Sequence, residues 1–253
     1  MRLVRFRHGS RIATGSVHGE FVRPLGGTFF EDPVPTGEEI PLADVRLLAP
    51  VLPSKVVCIG RNYMEHAQEM GGDVPEEPLI FLKPSTSVIG PGDDIPRPSW
   101  AGRVDHEGEL AVVIGRIARD VEVEQAGRFV LGYTCGNDVT ARELQLKDGQ
   151  WTRAKGFDGF CPLGPWVETE IEPGDLAVEC RVNGETRQAA RTSQLAFGPG
   201  ELIEYISRVM TLLPGDVVMT GTPAGVGPLE AGDKVEVEIE GIGVLPNEVV
   251  ERA

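Results

Sequence analysis

Apolar and polar positions alternate in short stretches along the first part of the chain. Residues 1 to about 50 contain LVRFRHG, RIATGSVHG and EFVRPL, followed by a connector rich in Pro, Asp and Glu. Alternation with a period of two is typical of half-buried strands. We therefore predict a small β domain and linker over residues 1–50, and a larger domain over residues 53–251.

From residue 55 the apolar runs become longer. VVCIG, ELAVVIG and FVLGYTCG predict buried strands, and the first is followed by a short helix that Asn62 would cap and Gly71 and Gly72 would end. That pair of glycines is also a possible hinge. A second helix is predicted in GPGELIEYISRVMTLL. Its apolar residues at helical spacing are Leu202, Ile203, Ile206, Val209, Met210 and Leu213.

The same short sequence pattern occurs three times in the C-terminal third of the chain. EPGDLAVECRV, LPGDVVMTG and EAGDKVEVEIE each place a Gly-Asp turn before a strand. Strands outnumber the two predicted helices, and no regular βαβ alternation appears. The pattern therefore predicts a mainly β protein with few helices, a sandwich or roll rather than a doubly wound sheet.

The composition narrows the possible partners. A net charge of -15 argues against nucleic acid, and a site for a small anion would need its own local positive charge. No apolar run approaches the roughly 20 residues of a membrane span. The 4 cysteines are widely separated, which indicates reduced core residues. These features predict a cytoplasmic protein that binds neither nucleic acid nor a membrane.

Acidic residues stand where an apolar strand begins, in DHEGELAVVIG. On a strand, Glu107 and Glu109 would share one face, and Asp138, at the end of the next apolar strand, would supply a third carboxylate. Buried carboxylates that share a face repel unless a cation lies between them. The alternatives are an oxygen-only site for Mg²⁺ or Mn²⁺ and a solvated strand end. His106 is expected to be structural and not a metal ligand.

Two further segments carry candidate chemistry. His66 and Glu69 are three apart and would be neighbours on a helix, either as an acid–base pair or as an exposed polar pair. Lys155 could be partly buried in its glycine- and aromatic-bearing segment, but the local sequence favours a surface lysine. The loop TGTPAGVG lacks the ending of a phosphate loop, but its hydroxyl and N–H groups could clasp a carboxylate.

Six segments, taken in order, resemble the fumarylacetoacetate hydrolase superfamily. They are GRNYMEHAQEMG, PLIFLKPSTSVIGPGDDI, DHEGELAVVIG, GNDVTARELQ, WTRAKGFDGFCPLGP and MTGTPAGVGPL. The resemblance is to the branch of acylpyruvate hydrolases, oxaloacetate decarboxylases and 2-hydroxyhepta-2,4-diene-1,7-dioate isomerases. It implies a mixed β-sandwich roll, usually dimeric. It also implies Mg²⁺ or Mn²⁺ held by Glu107, Glu109 and Asp138, with His66 and Glu69 activating water.

The same resemblance implies the substrate contacts. Lys155 would act beside the catalytic pair, and Arg61, Arg142, Gln145 and Thr222 would bind the substrate, a small anionic 2-oxo acid. Hydrolysis of acylpyruvates or decarboxylation of oxaloacetate is the expected activity, with diene dioate isomerisation as the alternative. A catalytically silent β protein that only binds metal is the alternative of another class.

Overall fold

Short β-strands account for most of the regular structure in the computed structural model, which describes residues 1–31 and 33–252. The strands are β1 (Arg2–His8), β2 (Arg11–His18), β3 (Phe21–Gly26), β4 (Val34–Pro35), β5 (Ile40–Pro41), β6 (Arg46–Leu48), β7 (Val56–Gly60), β8 (Leu79–Lys83), β9 (Val88–Ile89), β10 (Asp94–Pro98), β11 (Val104–His106), β12 (Gly108–Ile114), β13 (Val130–Asn137), β14 (Thr140–Ala141), β15 (Cys161–Glu168), β16 (Ala177–Val182), β17 (Glu185–Arg191), β18 (Val217–Met219), β19 (Gly227–Pro228), β20 (Lys234–Ile239) and β21 (Gly243–Arg252). The α-helices are α1 (Met64–Glu69), α2 (Arg142–Asp148), α3 (Thr152–Lys155) and α4 (Pro199–Val209). The 3-10 helices are Leu42–Asp44, Ser85–Ser87, Ser99–Ala101, Val123–Phe129, Pro173–Asp175 and Thr192–Gln194.

The described strands form three sheets. A 13-stranded sheet has the order β4-β3-β2-β1-β15-β13-β12-β18-β7-β8, and off this path β5 pairs with β3, β6 with β1 and β9 with β15. A 5-stranded sheet runs β10-β21-β20-β16-β17, and a 3-stranded sheet runs β14-β11-β19. Most pairs are antiparallel, but β7 pairs in parallel with β18, β10 with β21 and β9 with β15. The mainly β roll with mixed sheets is confirmed.

The N-terminal strands extend the edge of the large sheet. β1 pairs with β15 through Arg2 and Leu3, and the amino group of Met1 binds the Glu168 carboxylate at 2.7 Å. A small apolar core of their own lies beneath these strands. It is formed by Val4, Phe6, Val17, Val22 and Ile40.

Both faces of β12 are covered, which explains its uninterrupted apolar sequence. Ala111 and Val113 pack on one side with residues of β15 and β18. Val112 and Ile114 pack on the other side against α4. A strand buried on both faces holds its ends rigidly, and the acidic segment lies at the start of this strand.

Helix α4 is shorter than predicted. Its buried residues Leu202 and Ile206 follow the expected spacing, but the backbone becomes extended at Met210 and ends the helix there. Ala118 then pairs with Leu212 in an isolated bridge, which buries Leu212 and leaves Leu213 41% exposed. Val209, on the last turn, is also exposed. The predicted helical spacing therefore does not extend to Leu213, which lies beyond the end of the helix, and Val209 is not part of the buried face.

Asn62 does not cap α1. The N-cap position is Tyr63, with no side-chain cap, and the Asn62 amide donates to the carbonyls of Phe197 and Thr220 instead. It also accepts from the Phe197 N–H, so the junction between β7 and α1 is tied to two distant loops. The end of the helix is as predicted, with Met70 as the C-cap and Gly71 next to it at φ 78°.

The four cysteines are free and buried, which confirms that they are reduced core residues. Helices α2 and α3 were not predicted, and they flank the acidic segment. The longest described helix has 11 residues. No helix within residues 1–31 and 33–252 has the length and apolar character needed to cross a membrane.

Candidate active site

Glu107 lies in a break between two strands, not within one continuous strand. β11 ends at His106 and β12 begins at Gly108. A Cβ at Gly108 would lie 3.1 Å from the Cβ of Cys180, so glycine allows the 5-stranded sheet to approach this point. The Glu107 N–H donates to Asn137, and the Asp138 N–H donates to the Glu107 carbonyl at 2.8 Å. The break thus brings Asp138 beside Glu107.

Three buried carboxylates meet at this break. Glu107, Glu109 and Asp138 each have a ligand atom within 4.8 Å of the others. Glu109 is 1% exposed and accepts from the Gly221 N–H at 2.7 Å. In the described part of the chain no basic side chain pairs with it. Burial, with Asp138 and Glu107 close by, raises the pKa of Glu109 well above its usual range.

The donor set fits a hard divalent cation. All three groups offer oxygen, and Glu109 is a buried acid without a counter-charge, which a bound cation would supply. Glu107, Glu109 and Asp138 could therefore hold a metal ion. This is the arrangement predicted from the sequence, and it does not match a solvated strand end, because all three side chains are buried.

Two lysines approach the same carboxylates. Lys155 of α3 is 2% exposed and binds Glu107 Oε2 at 2.7 Å and Asp138 Oδ2 at 2.6 Å. Lys83, at the end of β8, binds Asp138 Oδ1 at 2.5 Å. The interpretation of Lys155 as a surface lysine is therefore wrong, because two buried carboxylates hold it inside. Burial opposes ionisation of Glu107, but the positive charges of Lys155 and Arg142 hold its pKa well below the usual range.

Arg142 begins helix α2 and reaches into the same cluster. Its guanidinium donates to Asp105 Oδ2 at 2.9 Å, to Glu107 Oε1 at 2.6 Å and to Gln145 Oε1 at 2.6 Å. Gln145 is three residues later on the same helix, so the two side chains are neighbours. Burial would lower the pKa of Arg142, but Glu107 and Asp105 raise it, so this cation remains charged.

His66 and Glu69 form a hydrogen-bonded pair on α1. His66 Nδ1 and Glu69 Oε2 are 3.1 Å apart; the His66 side chain is buried and that of Glu69 is 35% exposed, so the pair does not lie wholly on an exposed helix face. The Gly225 N–H donates to both Glu69 oxygens at 3.1 and 3.3 Å. Gly225 has φ 97°, and a Cβ there would lie 2.1 Å from the Arg187 carbonyl oxygen. The TGTPAGVG loop does clasp carboxylates, but they are the protein's own, Glu109 and Glu69.

A cavity of about 110 Å³ joins these groups. Of the predicted site residues, all but Glu69 and Glu109 line it. The lining residues among them are Arg61, His66, Glu107, Asp138, Arg142, Gln145, Lys155 and Thr222.

Arg61 differs from the other cations of the cavity. Its backbone has φ 57°, an uncommon conformation for a residue with a side chain. Among the described residues, no carboxylate lies within ion-pair distance of its guanidinium, whereas Arg142 and Lys155 are each bound to two. Arg61 is therefore the cavity cation with its donors free for an anionic ligand.

Sequence reasoning missed three residues at the site. Lys83 binds Asp138, and Phe81 and Trp151 line the cavity with their rings 5.1 Å apart in an edge contact. Lys155 Nζ lies 5.0 Å from the Phe81 ring centre. The available signal was LIFLKP, in which a lysine ends an apolar strand. A buried strand end of that kind needs a carboxylate partner.

The roll and its buried acidic cluster, with a His–Glu pair beside it, define an enzyme active site. Residues 55–250 match the family model described as fumarylacetoacetate (FAA) hydrolase C-terminal, and residues 1–50 match Rv2993c-like, N-terminal. The chain belongs to the fumarylacetoacetate hydrolase family and is an enzyme of that family.

Similar proteins cover most or all of the chain. Protein Rv2993c of Mycobacterium tuberculosis is 52% identical over 262 residues, which is 100% of this chain and 99% of that protein. Human mitochondrial oxaloacetate tautomerase FAHD2A is 44% identical over 224 residues, 83% of this chain and 71% of that protein.

Solved structures match this chain over its full length. A crystal structure of 5-carboxymethyl-2-hydroxymuconate delta-isomerase from Mycobacterium smegmatis has a TM-score of 0.95 at 52% identity and covers 100% of both chains. Maleylpyruvate hydrolase from Sphingobium sp. SYK-6, solved with manganese(II) and pyruvate, has a TM-score of 0.84 at 31% identity and covers 100% of both chains.

Proposed function

We propose that this enzyme catalyses proton transfer at C3 of short 2-oxo diacids, with oxaloacetate keto–enol tautomerisation as the representative reaction. The observation that carries the proposal is the convergence of three features on one small cavity. They are the His66 ring backed by Glu69, the carboxylate cluster, and the unpaired Arg61 guanidinium. A cavity of about 110 Å³ suits a four-carbon acid better than a seven-carbon diene dioate.

Each group has a place in this reaction. Arg61 binds the distal carboxylate, and Gln145 and Thr222 contact the 2-oxo acid end from the cavity wall. A divalent cation on the carboxylate cluster, Mg²⁺ or Mn²⁺, supplies a Lewis acid that lowers the energy of the enolate. The local cations also offset the net charge of -15, which would otherwise repel a dianion.

His66 moves the proton. Glu69 accepts a hydrogen bond from His66 Nδ1, which leaves Nε2 as the basic nitrogen of a ring that lines the cavity. It removes the C3 proton while the 2-oxygen takes a proton from water to give the enol, and in the reverse direction the imidazolium returns a proton to C3 as the 2-oxygen releases one to water. Glu69, held by Gly225, fixes the ring orientation and stabilises the imidazolium that forms. This division of roles makes His66 the base and Glu69 its support.

Hydrolysis of acylpyruvates is the second candidate. The similar maleylpyruvate hydrolase binds manganese and pyruvate, and pyruvate is the product that acylpyruvate cleavage releases. In that reaction His66 would take a proton from water instead of from C3. The two reactions thus use the same residues. They differ in the atom that His66 deprotonates, which is C3 of the substrate or the oxygen of water.

Proton NMR in D₂O separates the two candidates. With Mg²⁺ or Mn²⁺, we expect deuterium at C3 of oxaloacetate and fast decay of its enol absorbance, with slower release of acetate from acetylpyruvate. His66→Asn should reduce the exchange by about 10²–10⁴-fold. Efficient acetylpyruvate cleavage without C3 exchange of oxaloacetate would instead favour the hydrolase, and activity on neither compound would refute both.

A further inference from the structure

Gln188 of β17 reaches the active site from the 5-stranded sheet. It is 1% exposed, and both ends of its amide are bonded. Oε1 accepts from the Gly108 N–H at 2.9 Å, and Nε2 donates to the Pro223 carbonyl oxygen at 2.7 Å. Because a backbone N–H can only donate and a carbonyl can only accept, these two bonds fix the orientation of the amide.

Two further bonds complete the set. Nε2 also donates to Thr222 Oγ1 at 2.7 Å, and His106 Nδ1 lies 3.1 Å from Oε1, where it donates. Thr222 Oγ1 in turn donates to the Gly108 carbonyl oxygen at 3.0 Å. His106 is thereby occupied away from the carboxylate cluster, in agreement with a structural role.

The hydrogen-bond partners of Gln188 belong to two regions of the site, the segment that presents the carboxylates and the loop that lines the cavity. Gly108 lies between Glu107 and Glu109, so the bond to its N–H fixes the break that presents both carboxylates. Thr222 lines the cavity, and Pro223 is two residues before Gly225, whose N–H holds Glu69. An apolar side chain could fill the same space but could make none of these bonds.

We propose that Gln188 is a positioning residue that sets, through its acceptor end, the geometry of the carboxylate cluster and, through its donor end, the loop that contacts substrate and supports Glu69. This inference rests on the proposed function for its substrate readout. Its metal readout is independent of any substrate. The two ends of one amide therefore predict two separable effects.

Two variants separate the two ends. Gln188→Met removes both, whereas Gln188→Glu keeps an acceptor for Gly108 and loses the donors to Thr222 and Pro223. Gln125→Met is the matched control, since Gln125 is exposed in the 3-10 helix Val123–Phe129. Mn²⁺ affinity is measured by electron paramagnetic resonance of free Mn²⁺, followed by kcat and KM for oxaloacetate and by the melting temperature.

The expected results differ between the variants. Gln188→Met should weaken Mn²⁺ binding by about 10–100-fold, the usual effect of removing a group that orients metal ligands, and should raise KM. Gln188→Glu should leave Mn²⁺ binding no weaker than in the wild type, but should raise KM by about tenfold through the lost bonds to the loop. Gln125→Met should match the wild type in every measurement.

Other outcomes overturn the proposal. Wild-type Mn²⁺ affinity and wild-type kinetics in both variants, with only a lower melting temperature, would show that Gln188 is merely structural. If Gln188→Met does not fold, an unchanged KM in Gln188→Glu overturns the role of the donor end. A wild-type enzyme that binds Mn²⁺ but turns over no 2-oxo acid would refute the proposed function, and the Mn²⁺ affinities would still decide the role of Gln188. A wild type that binds no Mn²⁺ would overturn the acceptor-end role.

Discussion

Replacing Glu109 by glutamine should change the stability of the metal-free and metal-bound protein in opposite directions. Glu109 is a buried acid whose neighbours Glu107 and Asp138 are also acids, and Gly221 gives it a single hydrogen bond. Gln is close in shape and can still accept that bond. Glu109→Gln therefore removes repulsion when no metal is bound, and it removes a charged ligand when metal is bound.

The size of the effect follows from the geometry. Two unit charges no more than 4.8 Å apart repel by about 3.5 kcal/mol or more at an effective dielectric constant of about 20. Lys155 and Lys83 offset part of this repulsion at Asp138, and proton uptake by Glu109 limits it further, since its pKa is raised. A net gain of about 1–2 kcal/mol remains, which corresponds to about 2–8 °C in Tm for a chain of this length.

The assay is thermal unfolding of wild type and Glu109→Gln in EDTA and in Mn²⁺. We expect the variant to have the higher Tm in EDTA. In Mn²⁺ the wild type should gain about 2.7 kcal/mol at a concentration of about 100 Kd, and the variant much less. Glu76→Gln, an exposed carboxylate, is the control. A lower Tm of Glu109→Gln in EDTA, or a Mn²⁺ shift equal to that of the wild type, would refute the electrostatic argument.

Two further predictions concern His66 and a second buried carboxylate. Glu69→Gln presents an N–H to His66 Nδ1 and forces the proton onto Nε2, so exchange at C3 should fall by about 10²–10⁴-fold, while Glu65→Gln on the same helix should not affect it. Equal rates in the two variants would contradict this. Asp216 is buried and accepts from Ser54, Lys55 and Leu213, and although burial opposes ionisation these donors lower its pKa. A lowered folded pKa gives stability that is present above the unfolded value of about 3.9 and is lost as pH falls through the folded value. Asp216→Asn should therefore lower the free energy of unfolding at pH 7 by about 2 kcal/mol and flatten its acid dependence in urea titrations from pH 3 to 7. An unchanged acid dependence would contradict the assignment.

The strands were predictable because their signal is local. Alternation in residues 1–50 and the long apolar runs of β7, β12 and β13 each appear within one window of the sequence. The acidic cluster was predictable for the same reason, since Glu107 and Glu109 stand together before an apolar run. The pattern could not predict the break at Glu107, because this break depends on the approach of the 5-stranded sheet to Gly108.

Helices α2 and α3 escaped prediction because their buried side is polar. In α2 the buried residues include Arg142 and Gln145 beside Leu144, and in α3 they are Ala154 and Lys155. A search for apolar periodicity reads such segments as loops. These helices bury charged side chains because the carboxylates they face already lie inside the protein. This is a tertiary contact, and a short stretch of sequence carries no information about it.

The distribution of lysines distinguishes this cluster from an ordinary buried salt-bridge network. Lys83 and Lys155 come from separate elements and both bind Asp138, while Lys155 and Arg142 serve Glu107. A network that only stabilises the fold would place a cation on Glu109 as well, because an unpaired buried carboxylate costs several kcal/mol. Stability of the fold alone therefore does not explain why Glu109 is buried without a paired cation. The lack of a directly paired cation at Glu109, more than the number of acids, therefore supports the proposal that a divalent cation completes the site.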